Sequence, residues 1–193
     1  SMNDIYDITR DGKYIWCATT NGIIRWNSEN STFVKFTTAD GIPDIGKWYL
    51  ATDKLGGIWC TGTAKDDWAQ RIGLGVLYIK DNDVTRYAII DPVRMIFTDN
   101  MNKKWFEIYT REEGENSPVT YLGFQTFDGL NWKTFNAEKN ALPSNYVYSM
   151  AQEPNGNYWF ATGEGVARFD GTTWKVFKEG DSGLKSTHSN LLT

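Results

Sequence analysis

Short runs of alternating apolar and polar residues, separated by turn residues, recur along the whole chain. Four of these runs begin with a glycine and carry apolar residues at every second position. Alternation with a period of two is typical of a β-strand with one buried face. The pattern therefore predicts strands at residues 22–26, 75–79, 123–127 and 165–169.

The chain also contains an internal repeat. Residues 141–162 align without a gap with residues 41–62, at a constant offset of 100. Each of four copies places an apolar residue eight or nine positions before a tryptophan, with Gly, Asn or Asp turn residues between the two, which is typical of a β-hairpin. The four pairs are Ile8 and Trp16, Leu50 and Trp59, Ile96 and Trp105, and Met150 and Trp159.

A second turn and a fourth strand complete each copy as a four-stranded antiparallel meander. One such unit cannot bury both faces of its sheet, and radial stacking of units in a β-propeller does bury them. We therefore predict an all-β fold of four β-propeller blades that form an arc or partial ring. The predicted single domain spans residues 3–193, with blades at about 3–40, 41–90, 91–140 and 141–182 and the start of a further inner strand at 183–193.

The fourth copy resembles the two-component regulator propeller repeat. It has the acidic residue Glu153, an Asn-Gly turn, Trp159, the Thr162 to Gly165 step and a Leu-Pro-Ser-Asn connector before its first strand. The third copy departs most from this pattern, with Met101 in the turn. The resemblance implies a ligand-sensing or binding propeller, the extracytoplasmic sensor portion of a bacterial signalling protein that recognises an oligosaccharide or a similar polar ligand. It also implies a periplasmic or extracellular location.

The composition narrows the range of partners. Hydrophobic residues make up 40% of the chain and aromatic residues 15%, which is enough apolar surface for a packed core. The 20 basic and 24 acidic residues give a net charge of −4 with no basic run, so no nucleic acid partner is expected. No apolar stretch is long enough for a membrane helix and the N-terminus lacks a signal-peptide pattern, so no direct membrane insertion is expected.

Cysteine and histidine are scarce. Cys17 and Cys60 directly follow Trp16 and Trp59, so we expect two unpaired, buried thiols rather than a disulfide. His188 is the single histidine. We therefore predict no metal site, no cofactor and no catalytic residues. Because large aromatic side chains fill the space between adjacent sheets, four tryptophans are predicted to be structural core residues. These are Trp16, Trp59, Trp105 and Trp159.

The copies differ most in the link between their second and third strands. This link has two residues in the first and fourth copies, twelve in the second (63–74) and fourteen in the third (109–122). In an up-and-down blade such links lie on the same side as the connectors between blades, so the two insertions are expected side by side. The predicted ligand-binding residues are Trp68, Arg71, Asp66, Asp67, Arg94, Tyr109, Arg111 and Glu112.

These residue types suit a polar ligand with apolar ring faces, such as a sugar. Trp68 and Tyr109 are candidate apolar platforms, and Arg71, Arg94 and Arg111 are candidate donors to carboxylates or vicinal acceptors. The competing interpretation is that both insertions are surface loops without a binding role or that they pack on a partner domain.

Two other function classes remain open on this fold, an enzyme of the lyase or glycosidase kind and a lectin. A propeller lyase of the streptogramin-inactivating type is expected to need histidine, and a glycosidase needs two suitably spaced carboxylates, such as Asp66 or Asp67 with Glu112 or Glu113. A tectonin-like lectin would have equivalent pockets between all blades, which the unequal links disfavour. Catalysis is left open by the sequence, and a binding role is favoured over an enzymatic one.

The strand count predicts association. Five inner strands accompany four outer sets, and uncovered blade faces would expose more apolar surface than monomers normally do. The expected partners are further propeller blades or a second copy of the chain, besides a small polar ligand.

Overall fold

The computed structural model describes residues 4–64, 75–87, 92–112 and 118–178. Within these ranges sixteen strands form four antiparallel sheets, and in each sheet the strands lie in chain order. Residue contacts divide the chain into two compact units. The first unit comprises Ser1–Thr98 and Ile108–Thr120, and the second comprises Asp99–Glu107 and Tyr121–Thr193.

Sheets 1 and 2 belong to the first unit. Sheet 1 consists of β1 (Ile5–Asp11), β2 (Tyr14–Thr19), β3 (Gly22–Asn27) and β4 (Phe33–Phe36). Sheet 2 consists of β5 (Ile45–Thr52), β6 (Gly57–Ala64), β7 (Val76–Lys80) and β8 (Asp83–Tyr87). A 3-10 turn at Thr38–Asp40, closed by a capping box between Thr37 and Asp40, lies in the connector between the two sheets.

The remaining strands form sheets 3 and 4. Sheet 3 consists of β9 (Val93–Thr98), β10 (Lys104–Arg111), β11 (Val119–Phe127) and β12 (Trp132–Phe135). Sheet 4 consists of β13 (Val147–Gln152), β14 (Tyr158–Thr162), β15 (Gly165–Phe169) and β16 (Trp174–Phe177). One short helix, α1 (Ala137–Asn140), precedes sheet 4. The predicted all-β fold of four meander blades is confirmed.

In each sheet one glycine, directly before the part of the third strand that pairs with the fourth, packs on the fourth strand. A Cβ atom at any of the four would lie 2.1 to 2.6 Å from a backbone carbonyl oxygen of the fourth strand, and all four have positive φ. Only glycine has room there and tolerates that backbone conformation. The four glycines are Gly22, Gly75, Gly123 and Gly165.

Each sheet has two distinct faces. We define the back face as the one that carries the repeat tryptophan, and the front face as the one that carries the residue after it. In the first unit the back face of sheet 1 packs on the front face of sheet 2 in one buried core, which contains Trp16, Ile23, Cys60 and Leu77. Burial of these side chains is the main source of stability between the two sheets.

The second unit repeats this arrangement with aromatic side chains. On the back face of sheet 3, the ring centroid of Trp105 lies 5.1 Å from that of Tyr158 and 6.2 Å from that of Phe160, both on the front face of sheet 4. Phe135 of sheet 3 likewise lies 5.7 Å from Phe169 of sheet 4. In both units, therefore, the back face of one sheet covers the front face of the next.

Carboxylates join these paired sheets through backbone amides. The Asp7 carboxylate in sheet 1 accepts a 2.7 Å hydrogen bond from the backbone amide of Leu50 in sheet 2. The fully buried Glu107 in sheet 3 accepts one of 3.0 Å from Val147 in sheet 4. The register of β13 shifts between Val147 and Ser149, where the strand bulges. Glu107 therefore accepts from an amide directly beside the bulge.

Candidate functional site

The links and connectors predicted to share one side of the blades do meet in the first unit. A cleft of about 260 Å³ is lined by Thr20 and Asn21, which form the β2–β3 link, and by the connector from sheet 1 to sheet 2. The connector contributes Thr37, Thr38, Ile42, Pro43 and Asp44, and β5 contributes Trp48. The side of the blade on which the ligand was predicted is therefore concave here.

Three of the predicted ligand-binding residues come together in the first unit. Arg94 lies in β9, Tyr109 and Arg111 lie in β10, and the backbone amide of Tyr109 donates a 3.1 Å hydrogen bond to the carbonyl of Pro92. Burial raises the pKa of Tyr109, and so does the neighbouring phenol of Tyr49, while the positive charges of Arg111 and Arg94 lower it. Both guanidinium groups are thus within electrostatic range of one phenol.

The strands around this cluster are longer than the sequence pattern predicted. β10 continues to Arg111 and β11 begins at Val119, so Tyr109 and Arg111 lie in a strand and not in the insertion. Tyr109 exposes only 6% of its surface, whereas Arg111 is partly exposed and Glu112 is exposed. The prediction that Tyr109 is an exposed loop residue is therefore wrong, and the part of its side chain offered to a ligand is correspondingly small.

The predicted residues of the second-copy insertion lie outside the described ranges. They are Asp66, Asp67, Trp68 and Arg71, and their role stays a prediction.

A group of tyrosines in the second unit was only partly recognised from the sequence. The rings of Tyr121 and Tyr146 stack with centroids 4.1 Å apart, and Tyr148 lies 4.5 Å from Tyr146. All three are partly exposed. Tyr146 and Tyr148 directly follow the Leu-Pro-Ser-Asn connector, which marks the side of the blade where binding was expected and could have drawn attention to them. They form a candidate apolar surface distinct from the arginine cluster.

Three repeat tryptophans each donate an equivalent hydrogen bond to a carboxylate of their own hairpin. The indole N–H of Trp59 donates to Asp53 at 3.3 Å, that of Trp105 to Asp99 at 3.1 Å and that of Trp159 to Glu153 at 2.7 Å. Each carboxylate stands six positions before its tryptophan and also holds the hairpin turn, as Asp99 does by accepting from the amides of Met101 and Lys103. These groups serve the hairpin rather than a ligand.

The predicted core role of the tryptophans holds fully for three of them. Trp16, Trp59 and Trp105 expose 3% or less of their surface, whereas Trp159 is only partly buried. The cysteines are both unpaired, and Cys60 is buried as predicted, but the prediction that Cys17 is buried is wrong because its side chain lies on the partly exposed front face of sheet 1. Burial raises the pKa of each thiol.

Neither a cluster of metal ligands nor a membrane-spanning helix is found among the described residues. No three His, Cys, Asp or Glu side chains within the described ranges are grouped so that they could hold a metal ion. In the same ranges no helix has the length and apolar character needed to cross a membrane.

Residues 141–164 match the family described as "Two component regulator propeller". The match covers β13 and β14 with the connector before them and confirms the resemblance noted in the fourth copy. No curated protein matches the chain in sequence.

Solved structures resemble the whole chain in fold. The extracellular domain of BT3049 from B. thetaiotaomicron, described as a hybrid two component system, superposes with a TM-score of 0.68 at 19% identity, over 98% of this chain and 24% of its own. That of BT4673 from B. thetaiotaomicron, described likewise, gives 0.63 at 14% identity, over 96% and 22%. An ancestral GH74 enzyme gives 0.52 at 15% identity, over 91% and 25%. The chain thus spans about a quarter of the length of these structures.

Proposed function

We propose that this chain, which carries a two-component regulator propeller repeat, is part of the extracellular sensor region of a bacterial signalling protein and binds an oligosaccharide or a similar polar ligand. The repeat and the fold support the sensor assignment, since two structures of the same architecture are extracellular domains of signalling proteins. A periplasmic or cell-surface location follows from that role. Further blades or a second copy of the chain are its expected protein partners.

The observation that carries the binding role is the cluster of Arg94, Arg111 and Tyr109. Two guanidinium groups beside a phenol offer several fixed donors, which match carboxylates and vicinal hydroxyl groups better than a single ammonium does. The positive charges of Arg111 and Arg94 both lower the pKa of Tyr109, so the two guanidinium groups act at one point of the surface. The site therefore favours a ligand rich in acceptor oxygens.

The insertion that carries Trp68 and Arg71 would complete this site from the neighbouring blade. Trp68 stands outside the repeat frame, so packing between sheets does not require an indole at that position. An indole face can cover the apolar face of a sugar ring, while the arginines bind its edge.

Binding is best tested by a glycan-array screen followed by calorimetry on the hits. Arg111→Ala, Arg94→Ala and Trp68→Ala are each expected to weaken binding at least about tenfold, or about 1.4 kcal/mol. Arg86→Ala is the matched control, because Arg86 is exposed on the outer strand β8 of the same unit, and it should bind as the parent does. Unfolding curves of all four variants would verify that the fold is intact.

Unchanged affinity in all three test variants would contradict the site. The side of the blades that carries the Asp128-Gly129 and Asp170-Gly171 turns would then become the candidate surface. A hydrolysis assay on the same hits separates the remaining classes, because product release that is lost in Glu112→Gln would favour a glycosidase over a sensor.

A further inference from the structure

The front face of sheet 1 is apolar and exposed. Ile8, Trp26 and Phe33 expose 61%, 40% and 53% of their surfaces. The rings of Trp26 and Phe33 stack in nearly parallel planes with centroids 6.1 Å apart, so the surface is already ordered. Clustered exposure of large apolar side chains of this kind marks an interaction surface in a water-soluble protein.

The repeat identifies what such a face contacts. In sheet 2 the equivalent positions are Leu50 and Ile79, which expose 8% and 0% and belong to the core that the back face of sheet 1 covers. The front face of sheet 4 is covered in the same way by the back face of sheet 3. The natural partner of a front face is therefore the back face of another blade.

The chain carries an incompletely buried back face of its own. Trp159, Val166 and Phe177 of sheet 4 are only partly buried. Their equivalents in sheet 1 are Trp16, Ile23 and Phe36, which expose 1%, 0% and 2% under sheet 2. Sheet 4 thus presents the same side chains that bind a front face elsewhere in the molecule.

We propose that the front face of sheet 1 binds the back face of sheet 4 of a second copy of this chain. The contact repeats the packing of sheet 1 on sheet 2, with Trp159 in the place of Trp16. It joins unlike surfaces, so copies associate head to tail and either close into a ring or add in series. The inference does not depend on the identity of the ligand.

A polar contact supports the same pairing. Arg25, on the back face of sheet 1, donates to the carbonyl of Asp81 and, at 3.0 Å, to the side chain of Asn82 in the β7–β8 turn of sheet 2. Arg168 occupies the position of Arg25 in the repeat of sheet 4. Docked as proposed, Arg168 would reach the β3–β4 turn of the second copy, where the exposed carboxylate of Glu29 lies 3.6 Å from Lys13 and could accept from Arg168 as well.

Cross-linking through Cys17 tests this contact. Cys17 lies on the front face of sheet 1 and is partly exposed, whereas Cys60 is buried. Val166→Cys places a second accessible thiol on the back face of sheet 4. The equivalent residue of sheet 1, Ile23, shares a core with Cys60, and Cys60 is the equivalent of Cys17 in sheet 2. With a short bis-maleimide, the variant should give covalently linked chains of twice the mass or more, and the parent chain should give none.

Sedimentation of point variants provides the second measurement. The parent chain should associate as its concentration rises, and Trp26→Glu should weaken association at least about tenfold, or about 1.4 kcal/mol. Leu130→Glu is the matched control, since Leu130 is 88% exposed in the β11–β12 turn and should leave association unchanged. Circular dichroism would verify that both variants remain folded.

Three results would overturn the proposal. One is a compact monomer at every concentration. The second is a cross-link confined to single chains, which would show that sheet 1 is covered by sheet 4 of its own chain. The third is association that Trp26→Glu leaves as strong as in the parent.

Discussion

Trp16 differs from the other repeat tryptophans in its hydrogen bonding. Its indole N–H is buried and has no partner within the described part of the chain. The first hairpin is one residue shorter than the others, so Arg10 and not an acidic residue stands six positions before the tryptophan, where the other copies have Asp53, Asp99 and Glu153. A buried donor without a partner costs about 1–3 kcal/mol. This cost offsets part of the stability that the packing of the Trp16 ring provides.

This difference predicts unequal effects of the same substitution. Trp105→Phe removes a hydrogen bond and leaves the buried Asp99 carboxylate with one fewer donor, whereas Trp16→Phe removes a donor that had no partner. We expect Trp105→Phe to lower the free energy of unfolding by about 1–3 kcal/mol more than Trp16→Phe. Urea denaturation of both variants would measure this, and equal losses would contradict the assignment. Cys17→Ala should cost less than either.

At the scale of single residues, the sequence predicted which tryptophans form the repeat but not how deeply each is buried. Trp159 has the most complete repeat motif and yet is the least buried of the four. Burial depends on whether a front face covers the sheet, and the local pattern around Trp159 does not contain that information. Tyr109 shows the opposite error, because a strand extends through a position that was assigned to a loop.

At the scale of the β-strand, the four glycines that pack on the fourth strands allow the third and fourth strands to approach closely. Gly165 has φ of +117° and its added Cβ would lie 2.5 Å from the carbonyl oxygen of Phe177. Gly171 in the turn of the same sheet has φ of +98° with nothing within 4 Å. Both positions require a residue that tolerates a positive φ. Only Gly165 also requires the absence of a Cβ atom, because the fourth strand lies so close.

Alanine substitutions separate these two contributions. Gly171→Ala is expected to cost about 1–2 kcal/mol, the penalty for a side chain in a left-handed conformation. Gly165→Ala should cost distinctly more, because β16 must also move away from the new methyl group. Thermal unfolding of the two variants is the measurement, and similar losses would mean that the strands separate freely at this point.

Strand boundaries were predicted well where turn residues end a strand and poorly where an insertion follows. Gly, Asn and Asp residues marked the turns after β1, β9 and β13. Between β10 and β11, by contrast, Tyr, Thr and Val residues permit strand pairing to continue beyond the repeat, and the sequence has no glycine that would stop it before residue 114. Both strands are therefore longer, and the loop between them is shorter, than the sequence predicted.

At the scale of the whole molecule, carboxylates in turns make stability depend on pH. Hydrogen bonds from Thr173 and Thr172 lower the pKa of Asp170 to about 2. The side chain of Asn157 lowers the pKa of Glu153, and the backbone amides of Asn131 and Leu130 lower that of Asp128. A carboxyl group with a lowered pKa stabilises the fold above its ordinary pKa and loses that contribution as pH falls through the lowered value.

We therefore expect the urea midpoint to fall as the pH is lowered from about 5 towards 2. Burial raises the pKa of Asp7, so that group acts in the opposite sense and partly offsets the decline. Asp170→Asn should flatten the low-pH part of the curve, whereas Asp83→Asn, at an exposed strand position, should follow the parent. A parallel decline in the Asp170→Asn variant would contradict this account.

The fold of the chain could be predicted because its information is repeated. An apolar position, a turn and Trp16, Trp59, Trp105 or Trp159 recur in each blade, so weak local signals reinforce one another. The candidate site has no such repetition. It lies where copies differ, and only Arg94 and Arg111 could be placed together, through the order of their strands. Tyr49 carried no signal that set it apart from other strand residues.

The unequal hydrogen bonding of the repeat tryptophans also gives each blade a separate spectroscopic reporter. In a proton–nitrogen NMR spectrum, the indole signals of Trp59, Trp105 and Trp159 should shift downfield because each N–H donates to a carboxylate. The Trp16 indole signal should appear upfield of them and exchange slowly with solvent, since that N–H is buried and finds no partner among the residues that the structure describes. One spectrum can then follow the unfolding of the four blades one by one.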